Sequence, residues 1–313
     1  MNKFNSKIST TALAVTFALG LLGPVSVLAA TTPSLGVAGT YGILSNLFQH
    51  NIAATTITGD PANALTVGVL GYSSEAGVGA MVVVNGTTYV NDATWTAAGV
   101  AQNAALNNAV DGLNVQACTS VGATVDLSLI DTDGPGGLAP GTFPPGCYSS
   151  TGAMDIGSTI TLSGSGTYIF RPNGALNTAS GSIVTLSGAS ACNIFWAPTQ
   201  AATLGANSTF VGTIIDPSGV TMSNLAAVTG RILAYGGTVT ADSNNVTVPV
   251  CAAPTPTPTP ASGGASNFGS INVVKLVIND SGGTKTIADF PLFVNGTPVV
   301  SGVTNDFSAP ASV

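Results

Sequence analysis

From Met154 onward, short runs of alternating apolar and polar residues are broken by Gly, Ser and Asn, the periodicity of strands and turns rather than of helices. Four apolar strands stand out: Tyr168-Ile169-Phe170, Asn193-Ile194-Phe195-Trp196, Gly212-Thr213-Ile214-Ile215 and Gly230-Arg231-Ile232-Leu233. Measured at Ile169, Ile194, Ile214 and Ile232, they recur after 25, 20 and 18 residues. Thr161-Leu162-Ser163-Gly164 returns as Thr185-Leu186-Ser187-Gly188, and Thr203-Leu204-Gly205-Ala206 reads as a looser third copy. Repeats of this length fit the coils of a β-solenoid, where each coil buries its apolar side chains against its neighbours. A single segment has helical spacing, from Asp92 as N-cap to about Leu113, with Leu106, Ala109, Val110 and Leu113 in phase.

After each strand comes a segment of shared character: Gly152-Ala153-Met154-Asp155, Gly174-Ala175-Leu176-Asn177, Gln200-Ala201-Ala202-Thr203, Ser218-Gly219-Val220-Thr221 and Gly236-Gly237-Thr238-Val239-Thr240. The second position is Ala or Gly and the fourth is Thr, Asn or Asp. Alternate strand residues point to opposite sides, so these two positions share a face while the residue between them points inward. One side of the solenoid therefore becomes a ladder of small and hydroxyl-bearing residues. The candidate surface residues are Ala175, Asn177, Ala201, Thr203, Ser218, Gly219, Thr221, Thr238 and Thr240. The register at Gly236 to Thr240 is open by one residue, which decides whether Thr238 and Thr240 or Val239 face outward.

Composition narrows the chemistry. Only 6% of the 313 residues are charged, against roughly 25% for an ordinary soluble domain. Between Thr32 and Val250 the only basic side chains other than His50 are Arg171 and Arg231, so a surface that follows phosphates has nothing to build on. Nucleic acid is excluded as an expected partner. Asp126, Asp131, Asp133, Asp155, Asp216 and Asp242 are the candidate carboxylates for a polysaccharide-cleaving solenoid, the rival enzyme class. No base lies near them in sequence, so no enzyme activity and no cofactor are expected. In Asp131-Thr132-Asp133-Gly134 a calcium loop is interrupted by Pro135, and His50 has no second histidine beside it and reads as a loop residue, so no metal is expected.

The ends describe an exported, modular chain. Residues 1–29 carry Lys3 and Lys7, an apolar run from Thr11 to Leu22 and a small-residue cleavage site, the pattern of a signal peptide. No later run is apolar enough for an integral membrane helix. Residues 30–251 form the large domain, and 252–266 a Pro/Thr and Gly/Ser linker. Residues 267–313 read as a small all-β module with turns at Asn279 to Gly283 and at Asn295-Gly296, cut short before a closing strand. Cys118, Cys147, Cys192 and Cys251 allow three disulfide connectivities, of which Cys118–Cys147 and Cys192–Cys251 are favoured.

Leu35-Gly36-Val37-Ala38-Gly39-Thr40-Tyr41-Gly42-Ile43-Leu44 and Thr56-Ile57-Thr58-Gly59-Asp60 resemble the opening of the ice-binding proteins of cold-adapted bacteria, fungi and algae. The coils ending in Tyr168-Ile169-Phe170 and in Asn193-Ile194-Phe195-Trp196, the strand from Ser208 to Asp216 and Gly230-Arg231-Ile232-Leu233-Ala234 are similar to later parts of the same family, from Ser34 to Val248 in order. The resemblance implies a mainly β fold, a triangular right-handed β-solenoid with one long α-helix packed alongside, and an ice crystal surface as partner for one flat face. In that family the face often carries T-A/G-x-T/N segments. Ser218-Gly219-Val220-Thr221 comes closest, Asp155 departs by placing a charge on the face, and the rung at Leu47-Phe48-Gln49-His50 is bulkier. The small C-terminal module resembles the prealbumin-like modules of bacterial surface proteins, in which a strand lysine can enter an isopeptide crosslink, although Lys275 itself reads as an ordinary exposed edge lysine. That implies an extracellular protein with attachment to the cell surface, and a surface adhesin or glycan-binding solenoid is the alternative function.

Overall fold

The computed structural model describes residues 30–50, 54–59, 68–77, 82–84, 86–132 and 137–251, and four short strands after residue 267. The expected signal peptide, the linker, Asp133 and Lys275 lie outside the described residues. The chain divides into two compact units, Met1–Cys251 and Ala252–Val313. In the second, Phe268–Asn272 pairs antiparallel with Thr304–Ser308, and Leu292–Val294 with Thr297–Val299, while the expected turns at Asn279 to Gly283 and at Asn295-Gly296 lie outside the described residues.

The first unit is a solenoid of parallel strands with three strands per coil. Gly146–Ser150, Met154–Ile156 and Thr159–Ser163 each lie under their counterparts Tyr168–Pro172, Leu176–Thr178 and Ile183–Ser187. What drives the stacking is a buried column running up the inside of the first face. Tyr148, Phe170, Trp196, Ile214, Ile232, Ile43 and Leu70 pair one above another, and all are buried. The Tyr148 and Phe170 rings stack at 5.4 Å and the Phe170 and Trp196 rings at 4.1 Å. Each such side chain removed from water contributes about 1.5–3 kcal/mol. Trp196 also donates its ring N–H to the Val211 carbonyl at 3.0 Å, so its polar edge is satisfied.

The coil order departs from chain order. Ile43–His50 lies parallel to Ala227–Ala241, with Ile43 opposite Ile232 and Gln49 opposite Thr240, while Thr55–Gly59 lies on Asn245–Val248. The N-terminal coil is thus stacked on the C-terminal one, and Gly68–Tyr72 and Ser74–Gly77 continue beyond it.

Two details of the sequence reading need correction. Ile169 pairs with Phe195 rather than Ile194, because Ile169 and Phe195 face outward toward the helix while Ile194 faces the interior with Tyr168. The stacked Thr161-Leu162-Ser163 and Thr185-Leu186-Ser187 are a true repeat on the third face, whereas Thr203 belongs to the second face, where it pairs with Asn177 and Thr221. Thr203-Leu204-Gly205-Ala206 copies the letters of the repeat and not its place.

The helix runs Ala93–Asn107, capped by Asp92, whose carboxylate accepts the Trp95 amide at 2.8 Å. It stops before Leu113 because Asn108 turns extended, its side chain accepts the Val110 amide and its carbonyl accepts the Gly112 amide. Val110 is consequently exposed and Leu113 enters the core from a separate 3-10 turn. Trp95, Ala98, Ala105 and Leu106 cover the outer residues of the first face, Leu44, Ile169, Phe195, Ile215 and Leu233. Gly99 is required by close approach, since a Cβ there would run into the Tyr235 ring. Disulfides Cys118–Cys147 and Cys192–Cys251 fasten the segment after the helix and the end of the solenoid to this same face.

Between the second and third faces four successive coils turn through one left-handed residue each: Gly181, Asn207, Leu225 and Ser243, with φ of 71, 57, 61 and 58°. The amides of Gly181, Asn207 and Leu225 bond to the next coil, as from Leu225 to the Asp242 carbonyl at 3.1 Å. Leucine is poorly suited to this conformation, and its side chain is 54% exposed. Leu225→Gly is therefore expected to raise stability by about 0.5–1 kcal/mol, read by thermal or urea unfolding. A loss of stability would show that the leucine side chain matters more than the backbone.

Candidate functional site

The second face is built from short strands whose inward residues fix the outward ones. Leu176, Ala202, Val220 and Val239 are all buried to within 1%. Their neighbours on either side must then point outward. Val239 settles the open register: Thr238 and Thr240 face solvent together.

Two columns result. Asn177, Thr203, Thr221 and Thr240 are successive partners in register. Two residues earlier in each strand, Gly219 pairs with Thr238, and the same register sets Ala175 and Ala201 beneath Gly219. Rungs of such a stack are about 4.7–4.9 Å apart and positions two residues apart about 6.6 Å, so the Thr and Ala/Gly columns form a regular grid. β-branched threonines hold a narrow choice of χ1, which makes the grid stiff. No hydrogen bond within the protein takes up the hydroxyls of Thr203, Thr221, Thr238 or Thr240, among the described residues.

Not every candidate belongs to the grid in the same way. Gly219 is buried, has φ of 120°, and a Cβ there would lie 2.6 Å from the Thr238 carbonyl oxygen. Its smallness serves the close approach of two coils. Ser218 sits in the turn before the strand, where its hydroxyl donates to the Thr199 carbonyl at 3.3 Å and its amide to Asp216 Oδ1 at 2.8 Å. Asn177 donates to Asp155 Oδ1 at 2.8 Å, so its amide is partly engaged.

The face ends in charge on one side. Below Asn177 lie Asp155 and then Asp126 on successive rungs. Burial pushes the Asp126 carboxyl up, but hydrogen bonds from the Ser128 hydroxyl and from the Gly157 and Ser128 amides outweigh it and hold the group below the usual carboxylate value. Above Thr240 come Gln49 and Ala76. There His50, expected in a loop, is the buried last residue of a strand, and its Nε2 lies 3.0 Å from Glu75. The rung expected at Leu47-Phe48-Gln49-His50 is thus present, directly above Thr238 to Ala241, whereas Ala76 escaped the sequence reading because its rung is remote in sequence from Thr240.

Asp216 lies wholly buried beneath the turn that starts the Gly219–Met222 strand. Burial pushes its carboxyl up to about 6, although the Ser218 amide favours the charged form. A folded value above the unfolded one means this group opposes folding once ionised. Stability is therefore expected to rise as pH falls from 7 through 6 toward 4, by up to about 3 kcal/mol from this group alone. Asp216→Asn should flatten that part of the pH–stability curve relative to the unaltered protein. The Asp126 contribution runs the other way and cancels in the comparison. Identical curves for the two proteins would contradict the assignment.

A parallel-strand solenoid with a discontinuous coil, a flanking helix and one small-residue hydroxyl grid defines a recognisable class. The sequence profile of the Ice-binding-like family matches residues 43–247, and the chain belongs to that family. It is 33% identical over 222 residues to an ice-binding protein of Flavobacterium frigoris, covering 69% of this chain and 76% of that one. A second relative, the ice-binding protein of a Nostoc species, is 30% identical over 224 residues, 70% and 75% of the two chains. Among solved structures, an ice-binding protein from an Antarctic biological consortium aligns with a TM-score of 0.57 and 28% identity, covering 72% of this chain and 95% of that one. The ice-binding protein of Antarctomyces psychrotrophicus aligns at 0.54 and 25%, covering 70% and 98%.

Proposed function

We propose that this protein adsorbs to ice through the second face and so slows ice growth and recrystallisation. One observation carries the reading: Thr203, Thr221 and Thr240 stand in unbroken register beside Ala201, Gly219 and Thr238, with their hydroxyls unspent. The Thr methyls and small side chains hold a layer of ordered water and the hydroxyls anchor it by hydrogen bonds, each worth only about 0.5–1.5 kcal/mol net. Affinity comes from many rungs acting at once on a stiff array, because little freedom is lost on binding. Adsorbed protein then pins the crystal front. Nothing in this process calls for a catalytic group or a cofactor.

Family membership supports the reading, as do the relatives described as ice-binding proteins. Export fits the signal-type N-terminus and the two disulfides, which persist in oxidising compartments. The prealbumin-like module after the Pro/Thr linker fits a protein held at the cell surface. Among the described residues no helix is long and apolar enough to cross a membrane. The test is ice recrystallisation inhibition by the purified full chain at micromolar concentration beside serum albumin. Grains that stay small support the proposal, and grains that coarsen as in the control overturn it.

A further inference from the structure

The inner corner between the first and second faces carries a carboxylate on one coil and none on the coils around it. By the register of the stack, Pro172, Ala234 and Ser45 hold this corner elsewhere, and Asp216 stands between Pro198 below and Ala234 above. The Asp216 side chain is wholly buried, and no charged group acts on it. The strands packed around it bring Arg231 and Tyr235. Arg231 is turned away to the Gly39 and Pro249 carbonyls and Cys251, and Tyr235 lies against the Trp95 ring under the helix. A buried charge without a partner is costly, so this one must be weighed against what it holds in place.

What it holds is the start of the central rung. Asp216 Oδ1 accepts the Ser218 amide at 2.8 Å, and the Asp216 carbonyl accepts the Gly219 amide at 3.3 Å. The turn is tied downward by the Ser218 hydroxyl, which donates to the Thr199 carbonyl, and upward by the Asp216 amide, which donates to the Leu233 carbonyl at 2.8 Å. The amides of Gly219 and of Ala202, the inward residue between Ala201 and Thr203, also favour the charged form of the carboxyl. One side chain therefore acts on two adjacent rungs, Ala201–Thr203 and Gly219–Thr221, at the centre of the grid. Hydrogen bonds to an ionised acceptor are shorter and roughly twice as strong as neutral ones. Oδ2 is buried and makes no hydrogen bond, among the described residues, so a proton added there weakens the hold on the turn without displacing the Ser218 amide. A group that costs stability and yet organises a surface fits a functional position better than a purely structural one.

We infer that Asp216 is a positioning residue for ice adsorption, whose ionised carboxylate fixes the Ala201–Thr203 and Gly219–Thr221 rungs relative to each other from beneath the grid. The inference rests on the reading of the second face as the ice-adsorbing surface and adds the buried group that sets its central geometry. Burial raises this carboxyl to about 6, so the hold on the two rungs weakens as pH falls through that value. The fold gains stability over the same range, because the ionised group opposes folding. Ice activity and stability should thus move in opposite directions, whereas a residue serving the fold alone would move them together.

Ice recrystallisation inhibition and Tm are measured side by side at about pH 5 and about pH 7.5, on the full chain and on Asp216→Asn, which keeps the shape and an acceptor oxygen but cannot ionise. The unaltered protein is expected to need about fivefold more material at the lower pH for the same inhibition, while its Tm rises. Asp216→Asn is expected to need that larger amount at both pH values, with a Tm at the higher pH no lower than that of the unaltered protein. His50 and Glu75 at one end of the face, and Asp155 and Asp126 at the other, are common to both proteins, so their contributions cancel in the comparison. Equal activity of the unaltered protein at the two pH values, an equal fall in both proteins, or an Asp216→Asn variant as active as the unaltered protein at the higher pH each overturns the inference and leaves the second-face reading intact. If Asp216→Asn fails to fold, the opposed pH courses of activity and Tm in the unaltered protein still decide the matter. Absence of ice activity in the unaltered protein at both pH values would instead overturn the ice-binding reading, and this inference with it.

Discussion

Thr221→Tyr raises the protein concentration needed to suppress ice recrystallisation by roughly tenfold, equivalent to about 1.4 kcal/mol of adsorption free energy, with Tm unchanged within a degree or two. Thr221 is exposed at the centre of its column, with Thr203 on the rung below and Thr240 on the rung above. A phenol there does more than remove one hydroxyl. It stands proud of the grid and lifts the neighbouring rungs away from the crystal, so several weak contacts are lost together. The fold tolerates the change because the neighbours that hold the strand, Val220 and Met222, are buried and untouched. Thr203→Tyr should behave in the same way. Full activity in both variants, with the fold intact, would remove the second face from the account.

Trp196→Ala produces the largest expected loss of stability, about 3–5 kcal/mol. Trp196 is wholly buried between Phe170, stacked at 4.1 Å, and Phe210 at 5.1 Å, and its ring N–H is bonded to Val211. Removing it opens a cavity in the middle of the inner column and takes away the side chain that stands between Phe170 and Ile214. For a unit of this size the loss corresponds to a fall in Tm of about 10 °C, measurable by calorimetry. The same variant should retain ice activity below its Tm, since the residue lies under the first face and not under the grid. A change in Tm of less than 2 °C would mean that the aromatic column is not what holds the coils together.

Much of this architecture was legible because it rests on local chemistry. Asp92 announces a helix start through its capping carboxylate, and the alternation around Val220 and Leu176 assigns the two sides of a strand without reference to any distant residue. Long-range order was harder to read. The pairing of Ile43–His50 with Ala227–Ala241 joins segments almost two hundred positions apart, so Gln49 above Thr240 has no local signature. Thr203-Leu204-Gly205 mimics a third-face repeat because Thr, Leu and Gly satisfy the same strand-and-turn demands on either face. Gly219 shows the reverse ambiguity: a residue that reads as part of a binding surface is demanded by its φ of 120° and the neighbouring coil.

Adsorption to ice by an uncharged, rigid hydroxyl grid is what the proposed function requires of this protein. Ice-affinity partitioning of the full chain tests it most directly: ice is grown slowly from a dilute, stirred solution, and protein is measured in the melted ice and in the remaining liquid. The account predicts enrichment in the ice fraction while serum albumin stays in the liquid. Equal exclusion of both proteins from the ice would contradict it.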